Sequence, residues 1–405
     1  MMDSKFLSLL LSLSLFAASN SQPRVKLGND LLVENPLDLL KGKRVGLVIN
    51  HTARLSSGEF LVDVLMQKGM NIVALFGPEH GVRGEASAGE KVSDTKDEKT
   101  GIPIFSLYGK IRKPTTEMLT NIDVLVYDIQ DVGARFYTYI STMGLAMEAA
   151  AEKGIPFIVL DRPNPLGGLK IDGPIMEDSL NSFVGMYPIP VVYGLTCGEL
   201  ATMINEEGWL KDKVKCKLSV IKMEGWKREM LWNDTGLTWI PPSPNIKTPA
   251  TAFVYPATCF IEATNVSEGR GTEKPFQYIG APFIKGEELS SSLGKLKLPG
   301  VKFSPVEFTP SSSKFKGELC RGVFVEVSDA RKFEAVRTGV ALISEMLGLY
   351  PSQVKINRTG FVRLMGSSLI HDVLVKGVAT MKGLPAWREE VFKYKRESLK
   401  YHLYK

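Results

Sequence analysis

Arg44 to Asn50 (RVGLVIN), Asn71 to Gly77 (NIVALFG), Ile122 to Ile129 (IDVLVYDI) and Pro156 to Leu160 (PFIVL) are short, almost continuous apolar runs. They are too short for buried helices and lack the alternation of a half-exposed strand. They read as strands buried on both faces. Helical patterns lie between them. Ser56 and Ser57 precede Glu59 to Lys68, where Phe60, Leu61, Val64 and Leu65 fall at helical spacing, which predicts a capped helix. Tyr139 to Lys153 predicts another, stopped at Gly154. Strands alternating with helices require right-handed crossovers and give a mainly parallel α/β sheet with helices on both faces.

From about Asp161 the texture changes. Pro163, Pro165, Gly167, Gly168, Gly173 and Pro174 predict a long loop. Leu195 to Glu206 reads as a helix, with Thr196 as N-cap and Glu199 at capping-box spacing. Cys216 to Met223 reads as a strand, and Pro241 to Pro244 (PPSP) as neither helix nor inner strand. Gly322 to Val327 reads as a strand and Ala330 to Leu347 as a helix. The expected organisation is an N-terminal domain over residues 22–195 and a smaller α+β domain over residues 196–405, with a cleft between them.

The 405 residues, 44% of them hydrophobic, exclude a disordered chain or a disulfide-stapled miniprotein. The net charge of +6 is scattered, without the clustered stripe of a nucleic-acid binder. Residues 1–21 read as a secretory signal: Lys5, an apolar run from Phe6 to Ala18, then small-residue cleavage sites at Ala17-Ala18-Ser19 and Ser19-Asn20-Ser21. The expected location is therefore periplasmic or extracellular, without stable membrane insertion, since no later stretch approaches ~20 apolar residues. Cys197, Cys216, Cys259 and Cys320 lack paired metal-ligand spacing, and no HExxH occurs, so neither metal nor cofactor is expected.

Open α/β sheets bind ligands beyond the carboxyl ends of their strands. The four predicted strands end in Asn50-His51, Pro78-Glu79-His80, Asp128-Gln130-Asp131 and Asp161-Arg162, which points to one crevice rim. Glu79 is the sharpest candidate. GPEHG holds it on a turn fixed by Pro and flanked by Gly, where partial desolvation raises a carboxyl pKa and makes a general acid. The plainer alternative is a turn Glu bonded to backbone amides. His80 could orient a carboxylate, bind substrate or satisfy a carbonyl. In YDIQDVGARFYTYIST, Arg135 could fork onto a carboxylate or pair with Asp128 or Asp131. Phe136, Tyr137 and Tyr139 offer faces for sugar rings or for packing on the sheet. EATNVSEGRGT (Glu262 to Thr272) adds Glu262, Asn265, Glu268 and Arg270 on a Gly-constrained loop, with a structural Glu–Arg pair as its plain reading. One carboxylate from each domain is what glycoside hydrolysis needs.

Several motifs are absent. There is no GxGxxG after the first strand, no GxxxxGK[ST] and no GxSxG elbow, which disfavours dinucleotide binding, a P-loop and an α/β-hydrolase. Carboxylate chemistry remains.

GPEHGVRG (Gly77 to Gly84), TGIPIFSLYG (Thr100 to Gly109), DIQDVGARFYTYISTM (Asp128 to Met143), LDRPNP (Leu160 to Pro165), SFVGMYPIP (Ser182 to Pro190), YGLTCGELA (Tyr193 to Ala201), PPSPN (Pro241 to Asn245) and SEGRGTEKPF (Ser267 to Phe276) resemble the exo-β-N-acetylmuramidases of the NamZ type, glycoside hydrolase family 171. The resemblance spans essentially the whole chain after the leader. It implies a Rossmann-like N-terminal domain without a nucleotide, a smaller C-terminal domain and an intervening cleft. It also implies release of N-acetylmuramic acid from the non-reducing ends of MurNAc-GlcNAc saccharides derived from peptidoglycan. On that likeness Glu79 is the acid. Its partner is open among Glu262, Glu268, Glu177 and Asp128. The sugar's lactyl carboxylate would want a cation, from Arg135, Arg83 or Arg270. Asn50, His80, Asp128, Tyr137 and Asn265 are the further substrate-binding candidates. Tyr193 stands where the family usually has His, and His51 where Gln is common. The mechanism is retaining or inverting according to whether the carboxyls lie ~5–5.5 Å or ~6.5–9.5 Å apart. A non-catalytic periplasmic sugar or muropeptide binder is the rival; it has little use for a carboxyl on a rigid turn.

Overall fold

The computed structural model describes residues 25–79, 81–83, 95–375 and 387–405; the leader lies outside them. Seven strands form the main sheet: β1 (Arg44–Ile49), β2 (Asn71–Gly77), β3 (Thr95–Lys96), β4 (Pro103–Ser106), β5 (Val124–Asp128), β6 (Pro156–Leu160) and β7 (Lys217–Ile221). Their order across the sheet is β3-β4-β2-β1-β5-β6-β7. Neighbours pair in parallel except β3, which runs antiparallel to β4. The chain winds outward from β1 through β2 and β4, then crosses back to β5 and outward again through β6 and β7. The switch point therefore lies between β1 and β5.

The four apolar runs are β1, β2, β5 and β6, and β5 is buried at every residue. β4 escapes an apolarity search because its four residues, PIFS, carry only two large aliphatic or aromatic side chains. Helices α1 (Gly28–Glu34) and α2 (Leu61–Gln67) pack one face, where Leu32, Leu61 and Leu65 meet Leu47 and Val126. Helices α3 (Tyr139–Lys153) and α4 (Cys197–Glu206) pack the other, with Met143, Met147 and Leu200 against Leu125. Each such fully buried aliphatic side chain contributes about 1.5–3 kcal/mol.

Local signals set most helix ends. Gly154 closes α3 with a left-handed φ of 75°. Thr196 and Glu199 form the predicted capping box on α4. The expected serine cap of α2 does not form: Phe60 is the N-cap and makes no side-chain bond. Ser57 instead donates to Glu59, and the Ser56 amide donates to Asp30.

A second, antiparallel sheet holds β8 (Tyr278–Ala281), β9 (Val301–Phe308) and β10 (Cys320–Val327) in the order β8-β10-β9. With it go α5 (Pro249–Thr258), α6 (Gly286–Lys295), α7 (Ala335–Leu349), α8 (Arg358–Met365), α9 (Ser368–Val375) and α10 (Arg388–Ser398). α7 starts later than the helix expected from Ala330, because the Phe333 amide closes a turn onto Asp329 and the Ser328 and Asp329 amides bind the Gly300 carbonyl.

The boundary expected at 195/196 does not fall at the edge of the sheet. α4 packs on the main sheet, and β7 pairs with β6 along its whole length. The C-terminal tail returns there too: the Tyr404 hydroxyl donates to Asp161 at 2.6 Å, and the Lys405 carbonyl accepts from the Arg228 amide at 3.1 Å. One apolar cluster runs from Tyr127 and Met143 through Tyr255 and Phe260 to Val340 and Ile343, so the two parts share a core.

Candidate active site

β2 delivers Glu79. Its last residue, Gly77, approaches the Val82 amide so closely that a Cβ would lie 3.1 Å from it. The chain then turns, with the Gly81 amide donating to the Pro78 carbonyl at 3.0 Å and Gly81 at a φ of 72°. Only glycine adopts such a φ without strain. His80 lies outside the described residues. β4 runs beside β2, and its exit delivers Tyr108, whose hydroxyl donates to the Glu79 carboxylate. Burial and then the charge of Glu79 push the Tyr108 pKa up to about 12, so it stays a donor at neutral pH. Tyr108 was not singled out from the sequence, although it lies in the TGIPIFSLYG motif that carries the family resemblance.

Glu262 comes from the other part of the molecule, on a 3-10 turn after α5. Arg270 holds it with Nη2 at 2.5 Å and Nε at 3.1 Å from one carboxylate oxygen. Burial pushes the Glu262 pKa up, Arg270 opposes with its charge and hydrogen bonds, and the neighbouring Glu268 adds to the rise.

Glu79 and Glu262 line a cleft of two lobes. The smaller, of about 380 Å³, is walled by Phe136, Tyr137, Phe183, Tyr255 and Phe276. The larger, of about 880 Å³, is bordered by Lys247, Thr272 and residues 311–314. Glu79, Tyr108, Asn245, Glu262 and Arg270 line both, so the carboxylates stand where the lobes meet. A volume near 380 Å³ is at the small end for a ligand pocket and suits one substituted sugar ring.

The other polar strand ends do not gather on this rim. Asp128 is buried and takes Arg162 Nε at 2.5 Å, Arg162 Nη2 at 3.0 Å and Asn29 Nδ2 at 2.9 Å. It is a structural ion pair at the β1/β5 switch point. Asp161 receives the Gly198 amide at 2.8 Å and the Thr196 hydroxyl at 2.7 Å, and so anchors the start of α4; burial pushes its pKa up to about 6. Asn50 is buried and binds the Thr52 amide and hydroxyl, and His51 reaches the Pro241 carbonyl. Asp131 accepts from the buried Tyr193 hydroxyl. Polar residues at strand ends thus serve two needs, ligand contact and satisfaction of buried loop backbone.

The arginines proposed for a substrate carboxylate are engaged elsewhere. Arg135 is fully buried and donates to the carbonyls of Pro174, Ile189, Leu364 and Met365 at 2.7–3.0 Å. Arg83 grips Asp97 at 2.6 and 2.9 Å. Arg270 is divided between Glu262 and Glu268. Glu268 is itself buried, with Lys314 Nζ at 3.0 Å, and borders only the larger lobe. Asn265 pins the Gln353–Lys355 backbone and lines neither lobe. Glu177 accepts from the Ser368 amide at the start of α9. Tyr137 does line the smaller lobe, edge-on to Tyr139 and Tyr255. Arg112 and Arg363 line that lobe as well, and nothing in the sequence around either marks it.

Among the described residues no group of three or more His, Cys, Asp and Glu could hold a metal, and the four cysteines are buried free thiols. No helix among them is long and apolar enough to cross a membrane.

The model of the N-terminal part of exo-beta-N-acetylmuramidase NamZ matches residues 45–250, and that of its C-terminal part residues 253–404. Their junction lies at the start of α5, well beyond residue 195. The peptidoglycan beta-N-acetylmuramidase NamZ of Bacillus subtilis (strain 168) is 49% identical over 385 residues, covering 95% of this chain and 92% of that protein. Two crystal structures of DUF1343 family proteins from Bacteroides fragilis NCTC 9343 share the fold. One has a TM-score of 0.88 at 44% identity, the other 0.78 at 33%, and each match covers 94% of this chain and 99% of that one.

Proposed function

The chain belongs to the NamZ family of exo-β-N-acetylmuramidases and is a glycoside hydrolase, and from that premise we propose that it releases N-acetylmuramic acid from the non-reducing ends of peptidoglycan-derived MurNAc-GlcNAc saccharides, using Glu79 and Glu262. One observation carries the reading: two carboxylates from different parts of the chain both border the small aromatic lobe and the larger polar one. The terminal sugar occupies the smaller lobe and the leaving saccharide the larger. The bond to be cut then lies at the carboxylates.

Glu79, held by Tyr108, gives its proton to the glycosidic oxygen as the bond to the anomeric carbon breaks. Glu262 acts from the other side as a carboxylate: it takes the proton of a water that attacks the anomeric carbon, or itself bonds to that carbon and is then displaced by water, which Glu79, now ionised, deprotonates. A partly buried carboxylate with a raised pKa is a stronger base, provided it can still ionise, and Arg270 supplies the opposing charge that allows this. The positive charge developing on the sugar ring is spread over a site with two carboxylates and aromatic faces.

The test is hydrolysis of a chromogenic β-N-acetylmuraminide by the purified protein. Release of chromophore is expected; binding of the sugar without release at any pH overturns the reading. A second measurement addresses Glu262. Activity needs it ionised, so it sets the acid limb of the pH profile of kcat/KM. Removing Arg270 takes away the charge that opposes the upward shift, so Arg270→Met is expected to move that limb to higher pH. A limb that stays in place, or moves down, rejects Glu262 as the ionised partner.

Export is part of the proposal. Residues 1–21 have the pattern of a cleavable leader. The protein recovered outside the cytoplasm is expected to begin at one of the small-residue sites between Ala18 and Gln22. An N-terminal peptide that still carries residues 1–21 rules this out.

A further inference from the structure

The smaller lobe contains three arginines, and their charges are not equally spent. Arg270 is neutralised by Glu262 and Glu268. Arg112 and Arg363 have no carboxylate partner among the described residues. The Arg112 guanidinium lies over the Phe183 ring, 4.5 Å from its centre, which holds it against the wall of the lobe. Arg363 sits in the last turn of α8, and that end of the helix is tied down by Arg135 through the Leu364 and Met365 carbonyls. The two cations therefore come from distant parts of the chain: Arg112 rests on an aromatic ring, and Arg363 projects from a helix end whose backbone is tied down.

An exposed, solvated arginine needs no partner. A sugar entering the lobe changes that, because it strips water from the guanidinium groups. Under a neutral hexosamine they would be left desolvated and unpaired, which is unfavourable. Under a sugar bearing a carboxylate they gain charge-assisted hydrogen bonds instead. The same two residues then attract the anionic sugar and penalise the neutral one, and selectivity arises from the difference.

We propose that Arg112 and Arg363 are the specificity-determining residues that seat the carboxylate of the terminal sugar in the smaller lobe. This replaces Arg135, Arg83 and Arg270 in that role, and it rests on the proposed muramidase function.

The test compares three chromogenic substrates with the same leaving group: the β-N-acetylmuraminide, its lactyl methyl ester and the β-N-acetylglucosaminide. Wild type is expected to prefer the free acid. In Arg112→Gln and Arg363→Gln, kcat/KM for the acid is expected to fall roughly 10- to 100-fold, mainly through KM, as for loss of a charged hydrogen bond. The preference for acid over ester should collapse toward unity, and Arg363→Lys should recover part of it. An equal fall for acid and ester, or no fall, overturns the proposal. Should wild type hydrolyse no muraminide, the function fails, but the inference is still read by calorimetry. Wild type should bind N-acetylmuramic acid more tightly than its methyl ester, and the Gln variants should lose that preference. Equal binding of acid and ester by wild type overturns it.

Discussion

Glu79→Gln is expected to lower kcat on MurNAc-GlcNAc by roughly 10³-fold or more, with little change in KM, in line with loss of a general acid. Gln keeps the size of the side chain and an oxygen for the Tyr108 hydroxyl, so the turn from Pro78 to Gly81 should stay intact. What it removes is the proton. The role shows in the leaving group. A 2,4-dinitrophenolate departs without protonation, so the variant should retain far more of its activity on the dinitrophenyl muraminide than on the disaccharide. Glu262→Gln should lose activity on both, because an ionised partner is needed whatever leaves. The measurement is kcat for both proteins on both substrates. A Glu79→Gln variant equally dead on the two would transfer the acid role to another group, and one that is fully active on the disaccharide removes Glu79 from the chemistry.

The second large effect is on stability. Arg135→Ala is expected to destabilise the fold by about 3–5 kcal/mol, the range for breaking a fully buried charged cluster. Arg135 donates to four carbonyls contributed by three separate segments: Pro174, Ile189, and Leu364 with Met365. Burial pushes its pKa down, yet a guanidinium surrounded by acceptors and lacking an accessible deprotonated form remains charged. Without it, those carbonyls are buried with one partner fewer, and each such loss carries a desolvation penalty. Arg135→Lys should be only slightly better, since an ammonium cannot span the four positions. Gly366, which caps α8 at a φ of 77°, has no room for a Cβ, which would meet Arg135 Nη2 at 2.4 Å. Chemical denaturation of the three proteins measures the difference. A loss below about 1 kcal/mol for Arg135→Ala would show that the carbonyls find other donors. Because this cluster fixes the end of α8, a folded Arg135 variant is also expected to show a raised KM through Arg363.

Arg135 also shows how far local sequence could be read. Its setting among aspartates and aromatics invited a role in binding, and the segment does border the cleft through Phe136 and Tyr137. The neighbouring Arg points away, into carbonyls up to 230 positions distant in the chain. Charged residues on short loops look alike in sequence whether they meet substrate or buried backbone. Asp128 and Asp161 are read as rim residues for the same reason, and both are consumed by internal partners, Arg162 and the start of α4. Glu79 differs because its turn carries its own explanation, with Gly81 at a left-handed φ and Gly77 packed tightly against Val82. The departure at Tyr193 has a partner too: its hydroxyl meets the buried Asp131.

The strands and helices follow from short-range physics. An apolar run of five to seven residues cannot remain in water, and a capping box or a left-handed glycine ends a helix within one turn. Those rules recovered β1, β2, β5 and β6, α3, and both ends of α4 to within two residues. The glycine-bound turn of Glu79 belongs to the same class. Membership of the sheet does not: β7 (KLSVI) carries no mark of which sheet it joins, and its pairing with β6 along its whole length is a tertiary fact. Partnership between side chains is equally non-local. Whether an arginine is a free cation or a structural one depends on which carbonyls and carboxylates the folded chain brings within 3 Å of it. That is why Arg112 and Arg363 carry no mark in their neighbourhoods, while the three arginines that did are already bound.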